Sequence, residues 1–309
     1  MSSSEPISVL IQGELGSFSH EAAEALLPGA EIVPCATALM LFSNMFEYIN
    51  TLALIPIENS LAGSVLEFYD LLNLRAERCK IKILREHQLR IRHNLIAKPG
   101  SKLLDPVHHV VISPKPILVY SHPVALAQCR RFFEAYLLDR LSPVEFYDTA
   151  GAVKWMMEQD NNPYIAAIAS KKAAEIYGGE ILQAGIEDNP ENYTRFLLLE
   201  FKNESNKNER LAERVLEGLA PPNKMSLILT LKNQPGALVE VLRIFADLKM
   251  NLTKIESRPI QGRPWEYLFY VDVLFPAEAA ADEALQRLRP QCETILNLGR
   301  YKAAEPPTA

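Results

Sequence analysis

With 309 residues, the chain is long enough for two or three domains and too long for one small core. Hydrophobic residues make up 48% and charged residues 23%, which excludes a wholly disordered or collagen-like chain. Lys+Arg is 32 and Asp+Glu is 38, so the net charge of −6 argues against a uniformly basic nucleic-acid-binding surface and leaves room for a local anion site.

The start, MSSSEPISVLIQG, has neither a basic segment nor an apolar run of signal-peptide length. No stretch approaches the roughly 20 apolar residues that span a bilayer. A cytoplasmic protein without membrane contacts is expected. Ile7–Gln12 is a short apolar strand, and Ser19 is placed to cap a helix running through Leu27. Ala38, Leu41, Phe42, Met45, Phe46 and Ile49 fall at helical spacing, so a second helix buries one face. Leu52–Ile57 is a buried strand. Ser60 caps the next helix, striped by Leu61, Val65, Phe68 and Leu72. Beyond Arg90 the pattern restarts, with strands at Leu95–Ala97 and near Val110–Ile112 and a helix from His122 to Leu138. Tyr164–Ala169 and Arg195–Phe201 are further strands. This alternation predicts a mostly parallel sheet with helices on both faces, as one large α/β domain or two lobes.

Lys202–Arg210, KNESNKNER, has no apolar side chain, and Pro221-Pro222 follows soon after, so the composition predicts a linker. Leu211–Leu219 between them could form a short helix. The C-terminal part is more regular. Leu227, Leu229 and Leu231 alternate as in a strand, Pro235-Gly236 turns, and Leu238, Val241, Leu242, Phe245 and Leu248 stripe a helix. Strands at Leu252–Arg258 and Trp265–Phe275, a helix striped by Ala281, Ala284, Leu285 and Leu288, and a strand at Thr294–Leu298 complete a β-α-β-β-α-β order. That is the ferredoxin-like arrangement, whose sheet has one face without helices. Such a face or edge is expected to pair with a second copy.

The four cysteines, Cys35, Cys79, Cys129 and Cys292, form no CxxC pair and are expected as small buried hydrophobes rather than metal ligands. No nucleotide-binding glycine motif occurs. Four segments stand apart from framework sequence. Gly16-Ser17-Phe18-Ser19-His20 opens a helix after a strand, where free N–H groups can hold an anion. Pro56-Ile57-Glu58-Asn59-Ser60-Leu61-Ala62-Gly63-Ser64 is a second such turn, with Asn59 and Ser60 as donors and Glu58 as an orienting or proton-supplying group. Ser121-His122-Pro123 has a capping serine and a proline in the first turn. Asn192-Tyr193-Thr194-Arg195-Phe196 runs from a polar loop into a strand, with Thr194 a hydroxyl donor and Arg195 a fork for a carboxylate.

In this order and spacing, GSFSHEAA, PIENSLAGSV, SHPVALAQC, DTAGAV and IEDNPENYTRF resemble prephenate dehydratase of the phenylalanine pathway, and NQPGAL and ESRP resemble its ACT regulatory domain. The likeness covers Ile7–Phe201 and Met225–Tyr301. There are departures: Gln12-Gly13-Glu14-Leu15 lacks the usual Gly-Pro, the polar stretch around Lys202–Leu219 is longer than the family needs, and Met40–Asn50 is oily enough to meet another subunit.

The resemblance implies a two-lobed catalytic domain of periplasmic-binding-protein type II over residues 1–203, with lobe one near 1–90 and 188–203 and lobe two near 91–187. A linker at 204–222 and an ACT domain at 223–309 follow. It implies a lyase that needs no cofactor and converts prephenate to phenylpyruvate with loss of water and CO2. Arogenate dehydratase and a non-catalytic amino-acid-binding protein are the alternatives. Thr194 is then the donor to the leaving hydroxyl, with Glu58 or His20 feeding a relay and Asn59 and Ser60 beside it. Ser17, Phe18, Ser19, Gly63, Ser121, Arg195 and Phe196 line the substrate site. Phenylalanine is the implied effector, held by Asn233, Gln234, Pro235, Gly236, Ala237 and Leu238 with Glu256, Ser257, Arg258 and Pro259. A homodimer or homotetramer is expected, and with no mutase segment before Ile7, a monofunctional enzyme.

Overall fold

A computed structural model of the chain describes residues 7–45, 51–76, 80–105, 108, 110–135, 140–159, 162–202 and 209–305. Phe46, Ile49, Cys79, His109 and most of the polar run after Lys202 lie outside the described residues.

The first lobe is built from β1 (Ser8–Gln12), α1 (Phe18–Leu26), β2 (Glu31–Cys35), α2 (Ala38–Asn44), β3 (Thr51–Asn59), β4 (Gly63–Ser64), α3 (Leu66–Ala76) and β5 (Lys80–Arg90). The second holds β6 (Asn94–Ala97), β7 (Ile117–Ser121), α4 (Pro123–Ala127), α5 (Arg130–Ala135), β8 (Leu141–Glu145), α6 (Thr149–Glu158), β9 (Ile165–Ala169), α7 (Lys171–Tyr177) and β10 (Glu180–Ala184). The chain then returns to the first lobe through β11 (Tyr193–Lys202) and α8 (Glu209–Leu216). Last comes the βαββαβ module, β12 (Lys224–Leu231), α9 (Ala237–Asp247), β13 (Asn251–Pro259), β14 (Tyr267–Leu274), α10 (Glu278–Leu288) and β15 (Cys292–Tyr301).

The sheet orders are β2-β1-β3-β11-β5, with β4 on β3, then β10-β6-β9-β7-β8, then β13-β14-β12-β15. The first two are mixed rather than mostly parallel. β1 runs parallel to β2 and β3, but β11 runs antiparallel to both its neighbours because it enters from the other lobe. The two passages between lobes lie side by side, where Ile91 N–H donates to the Asn192 carbonyl at 2.7 Å.

β3 is apolar on both sides because both sides are covered. Leu52 and Leu54 pack with α1 residues, whereas Ala53, Ile55 and Ile57 join Phe42, Phe68 and Leu72. The second of these cores continues into Ile228, Leu268, Tyr270, Leu298 and Tyr301 of the C-terminal module. The helix-free face of that module therefore lies on lobe one of the same chain, not on a second copy as expected; the edge strand β13 stays open. Tyr69 and Tyr270 meet edge to face at 4.7 Å. Gly299 permits the approach of β15 to β5: its φ is +131°, and a Cβ there would lie 2.8 Å from the Ile83 carbonyl oxygen.

Local readings differ in three places. Ser17, not Ser19, caps α1, since its hydroxyl accepts from His20 N–H. The predicted helix from His122 breaks at Gln128-Cys129 into α4 and α5, and the region near Val110–Ile112 forms only a bridge from Val111 to Leu104. The stretch after the polar run does form a helix, α8, and it buries Leu211, Ala212 and Val215 on lobe one. Cys35, Cys129 and Cys292 are buried, as small hydrophobes are. No helix among the described residues is long and apolar enough to cross a membrane.

Candidate active site

A cleft of about 580 Å³ opens between the lobes. Ser17, Phe18 and Ser19 at the start of α1, Asn59 and Gly63–Leu66 after β3, His122 and Gln128 near α4, Asp148 and Thr149 at the start of α6, and Thr194 and Phe196 of β11 all line it. Strand alternation decides which side chains arrive. Thr194 and Phe196 face the cleft, so Arg195 between them faces away. A bulge at Ile57 shifts the β3 register, so that Phe196 lies opposite Pro56 and Thr194 opposite Asn59. Pro56, Asn59, Thr194 and Phe196 thus share one wall.

Asn59 is the centre of a directed hydrogen-bond chain. Its carbonyl oxygen accepts from the backbone N–H of Leu61 at 3.0 Å and of Ala62 at 2.8 Å. Those two fixed donors leave one orientation for the amide. Its nitrogen then donates to Thr194 Oγ1 at 3.0 Å and Asn192 Oδ1 at 2.8 Å. Gln128 Nε2 donates to Asn59 Oδ1 at 3.3 Å, and its oxygen accepts from Asn192 Nδ2 at 2.9 Å. The same oxygen lies 2.9 Å from His93 Nε2, so His93 must carry its proton on Nε2. His93 Nδ1, buried among the cleft-lining residues, is left with no partner among the described residues. Burial pushes the His93 pKa below the usual imidazole range, outweighing Gln128 and Glu187, so the ring is neutral. Every link points the same way. Thr194 receives a hydrogen bond at its oxygen, and its own O–H is free to donate into the cleft.

Among the lining residues there is no lysine or arginine. Anion binding falls to helix starts, where the first N–H groups lack carbonyl partners in their own helix. Asp148 caps α6 through Gly151 N–H at 2.7 Å, and burial raises its pKa.

Several expected site residues lie elsewhere. Arg195 does not reach the cleft. Its guanidinium binds Glu86 at 2.8 Å and Asp272 at 2.6 Å behind the strand. Glu58 also faces away and pairs with Lys254 at 2.7 Å, so it feeds no relay to Thr194. His20 Nδ1 accepts from Gly16 N–H at 2.9 Å and Nε2 meets Glu24, which makes it a prop for the loop before α1. Ser60 caps no helix, since α3 starts at Leu66; its hydroxyl donates to the Glu191 carbonyl and accepts from Tyr193 N–H. Ser121 is fully buried and donates to the Ile168 carbonyl, leaving His122 as the α4 cap. Gln128, Asn192 and His93 carry no role in the sequence reading. Gln128 and Asn192 lie inside the quoted strings, and His93 had no local signal.

The effector residues divide as well. A recess of about 140 Å³ is lined by Lys232, Asn233, Gln234, Ala237 and Leu238 with the Trp265 hairpin. Pro235 and Gly236 form the adjoining turn, Gly236 at φ +84°. Glu256 and Arg258 face lobe one instead, bonding Ser64 and Asp70, because alternate β13 residues point there. Ser257 lies on the opposite side of β13, and Pro259 ends it; neither lines the recess.

The signature described as prephenate dehydratase matches residues 9–204, and that of the ACT domain matches 225–289. Arogenate dehydratase/prephenate dehydratase 2, chloroplastic, of Arabidopsis thaliana is 36% identical over 97% of this chain and 74% of its own length. The crystal structure of prephenate dehydratase in complex with L-Phe from Arthrobacter aurescens superposes with a TM-score of 0.78 at 27% identity, covering 98% of this chain and 93% of that one. GqqA, described as a novel type of quorum quenching acylase, superposes at 0.76 with 31% identity, covering 96% and 98%.

Proposed function

Because this chain belongs to the prephenate dehydratase family, we propose that it converts prephenate to phenylpyruvate, with phenylalanine as the effector of its ACT domain. The observation that carries this reading is the Thr194 hydroxyl, oriented through Asn59 to donate into the cleft.

In the proposed reaction, the bond from the ring to its carboxylate breaks and CO2 leaves. The electron pair enters the ring, which becomes aromatic as the C4–O bond breaks. The departing hydroxide takes up one proton from solvent and leaves as water. Thr194 donates a hydrogen bond to the departing oxygen. A threonine hydroxyl is a poor acid, so its part is to stabilise developing charge rather than to surrender its proton. Phe18 and Phe196 wall the ring, and the start of α1 holds a carboxylate.

One observation favours a second reading, the aminated substrate arogenate. The lining has no lysine or arginine and carries two carboxylates, Glu67 and Asp148, which suit an ammonium group.

The test is turnover of both substrates by the purified protein, with and without phenylalanine. Thr194→Ala is expected to cut kcat by about 10²–10⁴-fold, with a smaller change in KM. A Thr194→Ala enzyme as fast as the parent would remove Thr194 from the mechanism. No turnover of either substrate by folded protein would remove the reading itself.

A further inference from the structure

Asn59 and Thr194 each have a neighbour in sequence that faces the opposite way. Those neighbours, Glu58 and Arg195, are register partners, and both are held by the ACT domain. Lys254 of β13 places its ammonium 2.7 Å from Glu58 Oε1 and 2.6 Å from the hydroxyl of Ser64. Ser64 itself lines the cleft and donates to Glu256 at 2.5 Å. Asp272 of β14 holds Arg195 at 2.6 Å and accepts from Ser226 at 2.5 Å. Tyr301 accepts from the same guanidinium at 3.1 Å, and Lys224 joins Glu86 at 3.0 Å. The side chains of Glu86, Arg195, Lys224 and Asp272 are 1%, 10%, 7% and 12% exposed, so water screens them little. Two cations and two anions balance there.

A buried set of this kind is a poor source of stability, because desolvation offsets the attraction. Its yield is geometry: each charge must keep its partner, and the set has discrete arrangements rather than a continuum. We propose that the ACT domain is a positioning part of the active site, in which Lys254 sets Asn59 through Glu58 and Ser64, and Asp272 sets Thr194 through Arg195. Lys254, Glu58, Asp272 and Arg195 do not line the cleft, so they act on the reacting atoms only through Asn59, Ser64 and Thr194. The wiring also reaches the effector recess. Phe269 of β14, which lines the recess, precedes Asp272 by three positions, and β13 leads from Lys254 into the Trp265 hairpin. An occupant that shifts either strand acts on both clamps.

The inference rests on the proposed reaction where it concerns rate, so its test includes a readout independent of turnover. Lys254→Met and Asp272→Asn are compared with the parent for kcat, KM and amide hydrogen exchange in the full-length protein. The carboxylates that Lys254 meets, Glu58 and Glu256, are 32% and 24% exposed and can turn to water, so its variant remains informative if Asp272→Asn does not fold. The expected result is a kcat lower by about 10- to 100-fold with KM nearly unchanged, the scale of a misplaced group. Amides at residues 58–59 and 193–195 should exchange faster while those at 52–55 do not. Lys254→Arg should restore most of the rate. Glu58→Gln combined with Lys254→Met should cost little more than either alone. A folded Lys254→Met with parental kcat and parental exchange would overturn the proposal, as would losses that multiply in the double variant. If the parent turns over neither substrate, the proposed function fails, and the exchange pattern still decides whether the ACT domain holds these two strands.

Discussion

Thr194 gains its direction from groups that are not themselves reactive. Two backbone N–H groups orient Asn59, Asn59 orients Gln128, and Gln128 selects the His93 tautomer. At pH 7 the His93 ring should be neutral with a bare Nδ1, visible as an unprotonated ring nitrogen by ¹⁵N NMR. Its lowered pKa carries a sign: below the free-imidazole value of about 6.5, protons favour the unfolded chain, in which this ring can charge. A neutral ring with its proton on Nδ1 instead of Nε2 would break the chain of donors, and a titration near 6.5 would mean that burial does not hold the ring neutral. The contrast with Arg195 shows what was legible. Thr194, Arg195 and Phe196 stand together in sequence, and all three are natural site residues by type. In a strand they cannot share a face, so the alternation that brings Thr194 and Phe196 to the cleft carries Arg195 to its back. The alternation was readable from the strand assignment; the bulge that brings Asn59 opposite Thr194 was not, because nothing in Pro56–Asn59 announces which residue is extra.

At the scale of elements, the apolar strands and the striped helices were legible, because burial on one or both faces dictates composition. β5 was not: KIKILREHQLR mixes charge into a strand whose Glu86 is buried only because Arg195 and Lys224 meet it. Polar residues paired inside a protein mimic a surface strand in sequence. Gly299 is a similar case. Only the approach of β15 to β5 requires it, and its neighbours in sequence give no hint. Gly299→Ala is expected to destabilise the protein by about 1–3 kcal/mol, through both its backbone angle and the Ile83 carbonyl. Urea unfolding measures this; an unchanged midpoint would mean that β15 moves away without loss.

Over the whole molecule, the order of segments was enough for a βαββαβ module and left one α/β domain or two lobes open before it; the resemblance implied the two lobes, and neither marked the surface joining them. The helix-free sheet face reads as available because its apolar residues alternate normally, and a partner from the same chain leaves no separate mark. That union has a pH signature. Burial pushes the Asp272 carboxyl up, but Arg195, Lys224 and the Ser226 hydroxyl hold it below the ordinary carboxylate range. A carboxyl lowered on folding contributes stability that is present above its unfolded value, about 3.9, and lost as pH falls through the folded one. Calorimetry of Asp272→Asn should therefore show a melting temperature that depends less on pH below about 4 than the parent's. An identical acid slope would mean that this pair does not separate on unfolding.

The lack of lysine and arginine in the cleft wall bears on how fast a substrate arrives. The protein carries a net charge of −6, and carboxylates stand in the cleft wall. A dianion approaches such a surface against the long-range field, with no lysine or arginine at the wall to draw it in. Added salt shortens the reach of that repulsion, to about 8 Å near 0.15 M. So kcat/KM should rise with ionic strength where encounter limits it, the reverse of a steered enzyme. The slope for the doubly charged keto acid should be about twice that for the singly charged amino acid, since the effect follows the product of the charges. Rate against salt then reports the charge of the molecule this enzyme captures, without any structure of the complex.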